Sequence, residues 1–288
     1  MLAELRAETL DPSGGIYGPQ SLAWEIGRES ALFLGGGKAA LLQLAHPHVA
    51  YAIDQHSKTL SDPFGRFRRT FDGVFRMVFG DLDQAFRAAR GVHAVHERVV
   101  GTLDQKVGAF EEGTPYRAND GEALLWVYAT LVATAVEAFD LVVRPLGHAE
   151  RNRYLDESKR FARLFGIPER LLPRDWSDFA RYYASMLEGD VICVAPPARK
   201  VADFLFTPRR SIEEPLVRWA RIMTAGLMPE RLRTDFGLSF SPIEQRAFSV
   251  SIRSLRALYP RLPGRLRFVP AYHAARRRVS GGARSSSG

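Results

Sequence analysis

The chain has 288 residues, 46% hydrophobic and 25% charged, which is the balance of a soluble globular protein with enough chain for a full core. Its formal net charge of +8 comes mostly from arginine, spread among predicted helices without zinc-finger spacing or the basic and aromatic interleaving of an RNA-binding sheet, so no nucleic-acid partner is expected. One cysteine, Cys193, excludes an intramolecular disulfide, a cysteine zinc site and an iron–sulfur cluster within one chain.

Residues 1–18 are predicted to be a flexible lead-in that closes with the turn-rich Asp11–Gly15. They lack the basic-then-apolar order of a signal peptide, and no apolar run reaches about 18 residues, so a cytoplasmic protein is expected, with room for peripheral membrane contact. Ser21–Leu34 reads as a helix that ends at Gly35, Gly36 and Gly37. The triplet has neither dinucleotide-fingerprint nor P-loop spacing, and no strand precedes it. It reads as a tight helix–helix joint. The next helix breaks at His46-Pro47-His48, because a proline ring cannot continue the hydrogen-bond ladder. Two histidines two residues apart do not share a helical face.

Asp62 and Pro63 start a helix that stops at Gly80. Phe64, Phe67, Phe71, Val74, Phe75 and Val78 form its core face. A separate stripe, Arg66, Thr70, Gly73 and Met77, runs at spacings of four, three and four. It either lines a cavity or lets Arg66 pair with a carboxylate.

Ala85–Val100 is the most informative helix. Ala85, Ala89, Val92, His96, Val99 and Val100 share one apolar face, with Arg87, Arg90, Glu97 and Arg98 opposite. An inward imidazole behind small side chains is either a core histidine with one hydrogen-bond partner or the ligand of a flat cofactor. His93 lies one turn earlier at the edge of that face. After a predicted loop, Gly121–Val143 is apolar nearly all round and is expected to be the central buried helix. Trp126, Thr130, Thr134 and Glu137 share one of its faces, and the hydroxyls either bond to carbonyls in their own helix or wall a polar pocket.

Further helices are predicted at His148–Phe165, Trp176–Leu187, Ala198–Phe206, Pro215–Ala225, Pro229–Thr234 and Pro242–Tyr259. Pro260, Pro263 and Pro270 then predict a non-helical basic segment, and the Gly- and Ser-rich end of the tail, 276–288, is expected to be disordered. No βαβ alternation, strand period or internal repeat is present. The fold class is all-α, a single domain of roughly ten helices spanning 19–275.

Several strings together resemble the MpaB-type oxygenase family, which includes the rubber oxygenases called latex clearing proteins. They are GGGKAALLQLAHPHVA at Gly35–Ala50, DPFGRFRRT at Asp62–Thr70, HAVHERVVG at His93–Gly101 and YRANDGEALLWVYAT at Tyr116–Thr130. RLRTDFGL at Arg231–Leu238 and LPGRLRFVPAY at Leu262–Tyr272 continue the likeness, which covers roughly residues 20–275. The resemblance implies a globin-like helical core and a haem b iron held by one axial histidine, acting with dioxygen on a hydrophobic, isoprenoid or lipid-like substrate. It places the iron ligand on His96, with His46 as second choice, and the pocket Arg and Thr on Arg66 and Thr70. Ala89, Val92 and Thr130 are the expected cofactor neighbours. The rubber oxygenases carry a lysine just before the threonine, where this chain has Arg69, and many relatives carry histidine where it has Tyr128. Two other functions stay open: a non-haem metal oxidoreductase using His46, His56, His93 and His96 with Glu137, and a non-catalytic helical protein that binds lipid or a partner.

Overall fold

Apolar residues all round 121–142 require this helix to lie in the middle of the molecule, and 13 of its 22 residues are buried. The computed structural model describes residues 2–9, 11–56 and 63–285. The first helices are α1 (Leu2–Ala7), α2 (Leu22–Gly27), α3 (Gly36–Leu44) and α4 (Pro47–His56). Then come α5 (Pro63–Phe79), α6 (Leu82–His96), the hairpin β1 (Val100–Thr102) and β2 (Pro115–Arg117), and the central α7 (Gly121–Val142). The second half holds α8 (His148–Leu164), α9 (Trp176–Glu188), α10 (Pro196–Leu205), α11 (Glu214–Leu227) and α12 (Glu230–Asp235). The chain closes with α13 (Pro242–Leu258), α14 (Gly264–Arg267) and α15 (Pro270–Ser285).

The protein is all-α, with 71% helix and 4% strand. Among the described residues there are fifteen α-helices rather than roughly ten. The excess lies in α1 and α14, which have six and four residues and are too short to show a 3.6-residue period, in α4, a separate helix from Pro47 on, and in α15, which starts where a non-helical segment is predicted. The expected loop after α6 contains the antiparallel pair Val100–Arg117, Gly101–Tyr116 and Thr102–Pro115. Neither end behaves as predicted. Leu5 and Ile16, in the expected flexible lead-in, are 1% exposed in the main core. The expected disordered tail is helical to Ser285, and Ala275 is fully buried beside Trp24 and Phe79.

α2, α3, α8 and α13 pack around α7. Its length and apolar composition match a membrane span, but most of that stretch is buried inside the protein, as a core helix requires. The glycine triplet is a packing joint, as expected. Gly35 ends a 3-10 turn, Gly36 and Gly37 start α3, and a Cβ on Gly37 would overlap the Thr224 hydroxyl of α11. Gly37→Ala is therefore expected to cost about 1–3 kcal/mol, read from the urea midpoint. An unchanged midpoint would show that α3 and α11 can separate at no cost.

The two late motifs form clamps. Arg231 Nη2 donates to the carbonyls of Leu187, Gly189 and Ile192, fixing the turn after α9. Arg267 grips Glu29 with Nε and Nη2, both at 2.7 Å, next to the bridge that pairs Glu29 with Phe268.

Candidate functional site

α6 starts where the sequence requires. Asp81 caps it by accepting from Gln84 N at 2.7 Å, and Gln84 Oε1 accepts from Asp81 N at 3.1 Å, closing a capping box. Gly80 separates it from α5, and the two helices pack side by side as an antiparallel hairpin. Ala85 and Ala89 are buried in the core with Leu124 and Tyr128, while Val92 and His96 are half-buried. The apolar face thus rises out of the core toward its C-terminal end. His96 is the last helical residue, and its ring meets Phe165 edge-on, with centroids 6.1 Å apart. Val99 and Val100 lie beyond the helix, so they do not continue its face as predicted; Val100 belongs to β1 and is exposed.

The two histidines of α6 have different neighbours. His93 Nε2 donates to the Leu164 carbonyl at 3.2 Å and so ties α6 to the end of α8. A Cβ on Gly166 would overlap that ring, and Gly166 sits at φ 89°, so glycine lets the chain turn against His93. His93 thus helps to join α6 to α8.

On α5, the stripe of Met77, Gly73 and Thr70 also passes outward. Met77 is buried, Gly73 is half-buried with nothing within 4 Å of a Cβ position, and Thr70 is exposed. Thr70 is thus more open than its stripe predicted. The side chain of Arg66 and the Asp62 cap lie outside the described residues. Arg66 stands 14 residues before Gly80 and His96 stands 16 after it. At about 1.5 Å of rise per residue both lie roughly 20–25 Å from the turn, at one level of the hairpin.

Thr130 is engaged elsewhere. It accepts from Gln43 Nε2 at 3.0 Å and donates to the Val127 carbonyl at 2.7 Å. Thr134 likewise donates to the Thr130 carbonyl, Trp126 Nε1 to the Leu42 carbonyl, and Lys38 Nζ lies 2.6 Å from Glu137 Oε2. This face of α7 is therefore a polar seam against α3, and both threonines bond to carbonyls of their own helix, the first of the two readings. Tyr128 is sealed into the core, its hydroxyl 2.6 Å from Ser158 Oγ, and burial pushes its phenol up to about 12.

His46 and His48 make a second imidazole cluster. Pro47 opens α4 between them, and their rings come within 5.1 Å, with Phe110 4.6 Å from His48. His46 is 4% exposed. Its Nδ1 and both ring nitrogens of His48 have no hydrogen-bond partner among the described residues. Burial and the neighbouring His48 pull His46 down to about 4, so it is neutral. Among the described residues no three His, Cys, Asp or Glu side chains group as a metal site. The expected set of His46, His56, His93, His96 and Glu137 is not assembled: His93 bonds Leu164, His96 faces Phe165 and Glu137 pairs with Lys38. One of the rings beside His46 is Phe110, 64 positions away, a neighbour that local sequence does not record.

Residues 23–258 match the family model described as the catalytic domain of ER-bound oxygenase mpaB/B' and rubber oxygenase. The chain belongs to this oxygenase family. Two curated relatives, uncharacterized proteins of Mycobacterium bovis and Mycobacterium tuberculosis, are each 26% identical over 235 residues, covering 78% of this chain and 88% of their own. No solved structure matches. The family match spans the α5–α6 hairpin, the α3–α7 seam and the His46–His48 cluster alike.

Proposed function

We propose that the chain is a haem b oxygenase that acts with dioxygen on a hydrophobic small molecule, with His96 as the protein ligand to iron. The observation that carries this is the position of His96. It is the last residue of α6, half-buried, with its ring edge-on to Phe165 and at the level of Arg66 on α5. What supports such a group among the described residues is that the apolar face of α6 opens outward toward His96 and that Gly73, two turns nearer the Gly80 turn on α5, has nothing within 4 Å of a Cβ position. When bound, haem supplies the redox chemistry with dioxygen, and the protein sets its ligand, its surroundings and access to it.

The chain's own contributions follow from side-chain chemistry. A neutral imidazole at His96 would hold the iron through a ring lone pair, with Phe165 packed edge-on beside it. The Arg66 guanidinium suits a cofactor carboxylate or a developing oxygen anion. Thr70, on the open edge, offers a hydroxyl donor. Val92 keeps the α6 side apolar, whereas Ala89, expected beside the cofactor, is packed into the core with Leu124 and Tyr128. The Thr130 hydroxyl, already bonded to Gln43, takes no part in this arrangement. Arg69 replaces the lysine of the rubber oxygenases, so no lysine closes the site from that position.

Protein expressed with a haem precursor is expected to show a strong Soret band. His96→Ala should lose the band while keeping its far-ultraviolet circular dichroism. His93→Ala should keep the band and lose about 1–3 kcal/mol of stability, because the Leu164 carbonyl loses its donor. A colourless wild type, or a His96→Ala protein that stays coloured, would overturn the proposal. A band lost in His46→Ala alone would move the ligand to α4.

A further inference from the structure

Basic residues are spread along the chain, but their excess over acidic ones lies at one end. Of its 40 basic and 32 acidic residues, ten arginines and one glutamate fall within residues 242–288, which leaves 30 against 31 for the rest. The one carboxylate, Glu244, is buried and paired with Arg221 at 2.5 Å, so it does not offset the surface charge. Arg246, Arg253 and Arg256 on α13, and Arg261 and Arg265 beyond it, are all exposed. None of the five has a carboxylate partner among the described residues.

The same surface carries large aliphatic side chains. On α13, Phe248 and Leu255 pack inward against the Leu34 and Met223 cluster. On the outward side, Ile243 and Val250 lie seven residues apart, 74% and 53% exposed. Arg246 and Arg253 repeat the same spacing on the adjacent stripe. Leu258 and Leu266 extend the patch at 64% and 65% exposure. Trp219 flanks it on α11, its indole donating to Ser251 Oγ at 3.2 Å. A groove of about 700 Å³ runs along the same helix, lined by Phe248 and Ile252 together with Arg246 and Arg253.

Charge and apolar exposure together select among partners. A nucleic acid would use the arginines and leave the aliphatic stripe in water. A second copy of the chain docked through this face would cover the aliphatics but set arginine against arginine, since a two-fold interface brings the same patch to itself. An anionic bilayer uses both. Ile243, Val250 and Leu258 enter the boundary between headgroups and acyl chains, Trp219 sits at headgroup level, and the guanidiniums reach lipid phosphates. We infer that α13, the turn after it and α14 form a docking surface for an anionic lipid membrane. The inference is independent of haem binding and of His96.

Vesicle flotation of the purified chain tests it. The probes are phosphatidylcholine vesicles with about 30% phosphatidylglycerol, and pure phosphatidylcholine vesicles. The wild type should float with the anionic vesicles and not with the neutral ones, and raising the salt to about 0.5 M should weaken binding several-fold. The double variants Ile243→Ser/Val250→Ser and Arg246→Gln/Arg253→Gln change only exposed residues, and each should lower partitioning about tenfold or more. The surface assignment fails if the wild type does not float, if neutral vesicles bind equally, or if either double variant partitions like the wild type. It also fails if sedimentation shows a dimer that Ile243→Ser/Val250→Ser dissociates, which would make the face a self-association site.

Discussion

Arg267→Ala is expected to destabilise the fold by about 3–5 kcal/mol, the largest single-residue effect outside the apolar core. Its partner Glu29 is fully buried, whereas Arg267 is 16% exposed. The guanidinium grips both carboxylate oxygens at 2.7 Å, and the Tyr259 hydroxyl lies 3.0 Å from Oε2. Arg28 Nε reaches Oε1 only at 3.4 Å, while its guanidinium stacks over Phe268 at 4.5 Å. Removing Arg267 would therefore leave a buried carboxylate with one long ionic contact and one hydroxyl. The reverse change, Glu29→Gln, strands a cation that still reaches water, so about half the loss is expected. Glu29→Met with Arg267→Met should recover most of it, because the cost lies in the uncompensated charge rather than in the missing pair. Urea midpoints at constant slope read all three. If Arg267→Ala lies within about 0.5 kcal/mol of the wild type, the ion pair is not what fastens the C-terminal segment.

That clamp also marks the limit of what the chain shows by itself. The sequence predicts α6 and α7 well, because each carries its own start signal and its own periodicity: the Asp81 capping box, the Asp120 cap and the apolar wrap of α7. It predicts the glycine joint because three consecutive glycines without a phosphate-loop context leave only close packing. It cannot pair Glu29 with Arg267 across 238 positions, and so the basic, proline-punctuated end reads as irregular although it is pinned to the N-terminal half and continues into α15. Local periodicity records which face is apolar, not how far along the helix that face stays covered. The α5 stripe shows this: Met77 is buried and Thr70, two turns earlier, is exposed. His93 lies at the edge of the apolar face of α6 and His96 near its middle, and the bond from His93 to the Leu164 carbonyl depends on α8, which the local pattern of α6 does not record.

Acid sensitivity above the carboxylate range is the second large effect, and it comes from the other imidazole cluster. His46 is neutral in the folded protein, with its affinity for protons lowered to about 4 by burial and by His48; Asp120 acts in the opposite sense. His48 is lowered in the same direction by burial, again with Asp120 opposing. In the unfolded chain both titrate near 6.5. Between these values the unfolded state binds more protons than the folded one, so stability rises with pH. The contribution is complete above the unfolded value and is lost as pH falls through the window from about 6.5 to about 4. For His46 alone the loss between about pH 7 and pH 5 amounts to roughly 2 kcal/mol. A carboxylate mechanism would put the loss lower, where paired acids such as Glu150 begin to protonate. Urea midpoints of the wild type and His46→Gln across that range distinguish the two. The variant should be less stable at neutral pH, where an amide replaces a well-packed ring, yet lose less on acidification. Identical acid slopes in the two proteins would remove His46 as the origin. A slope that disappears only when His48 is also replaced would show that the two rings take up protons as one unit.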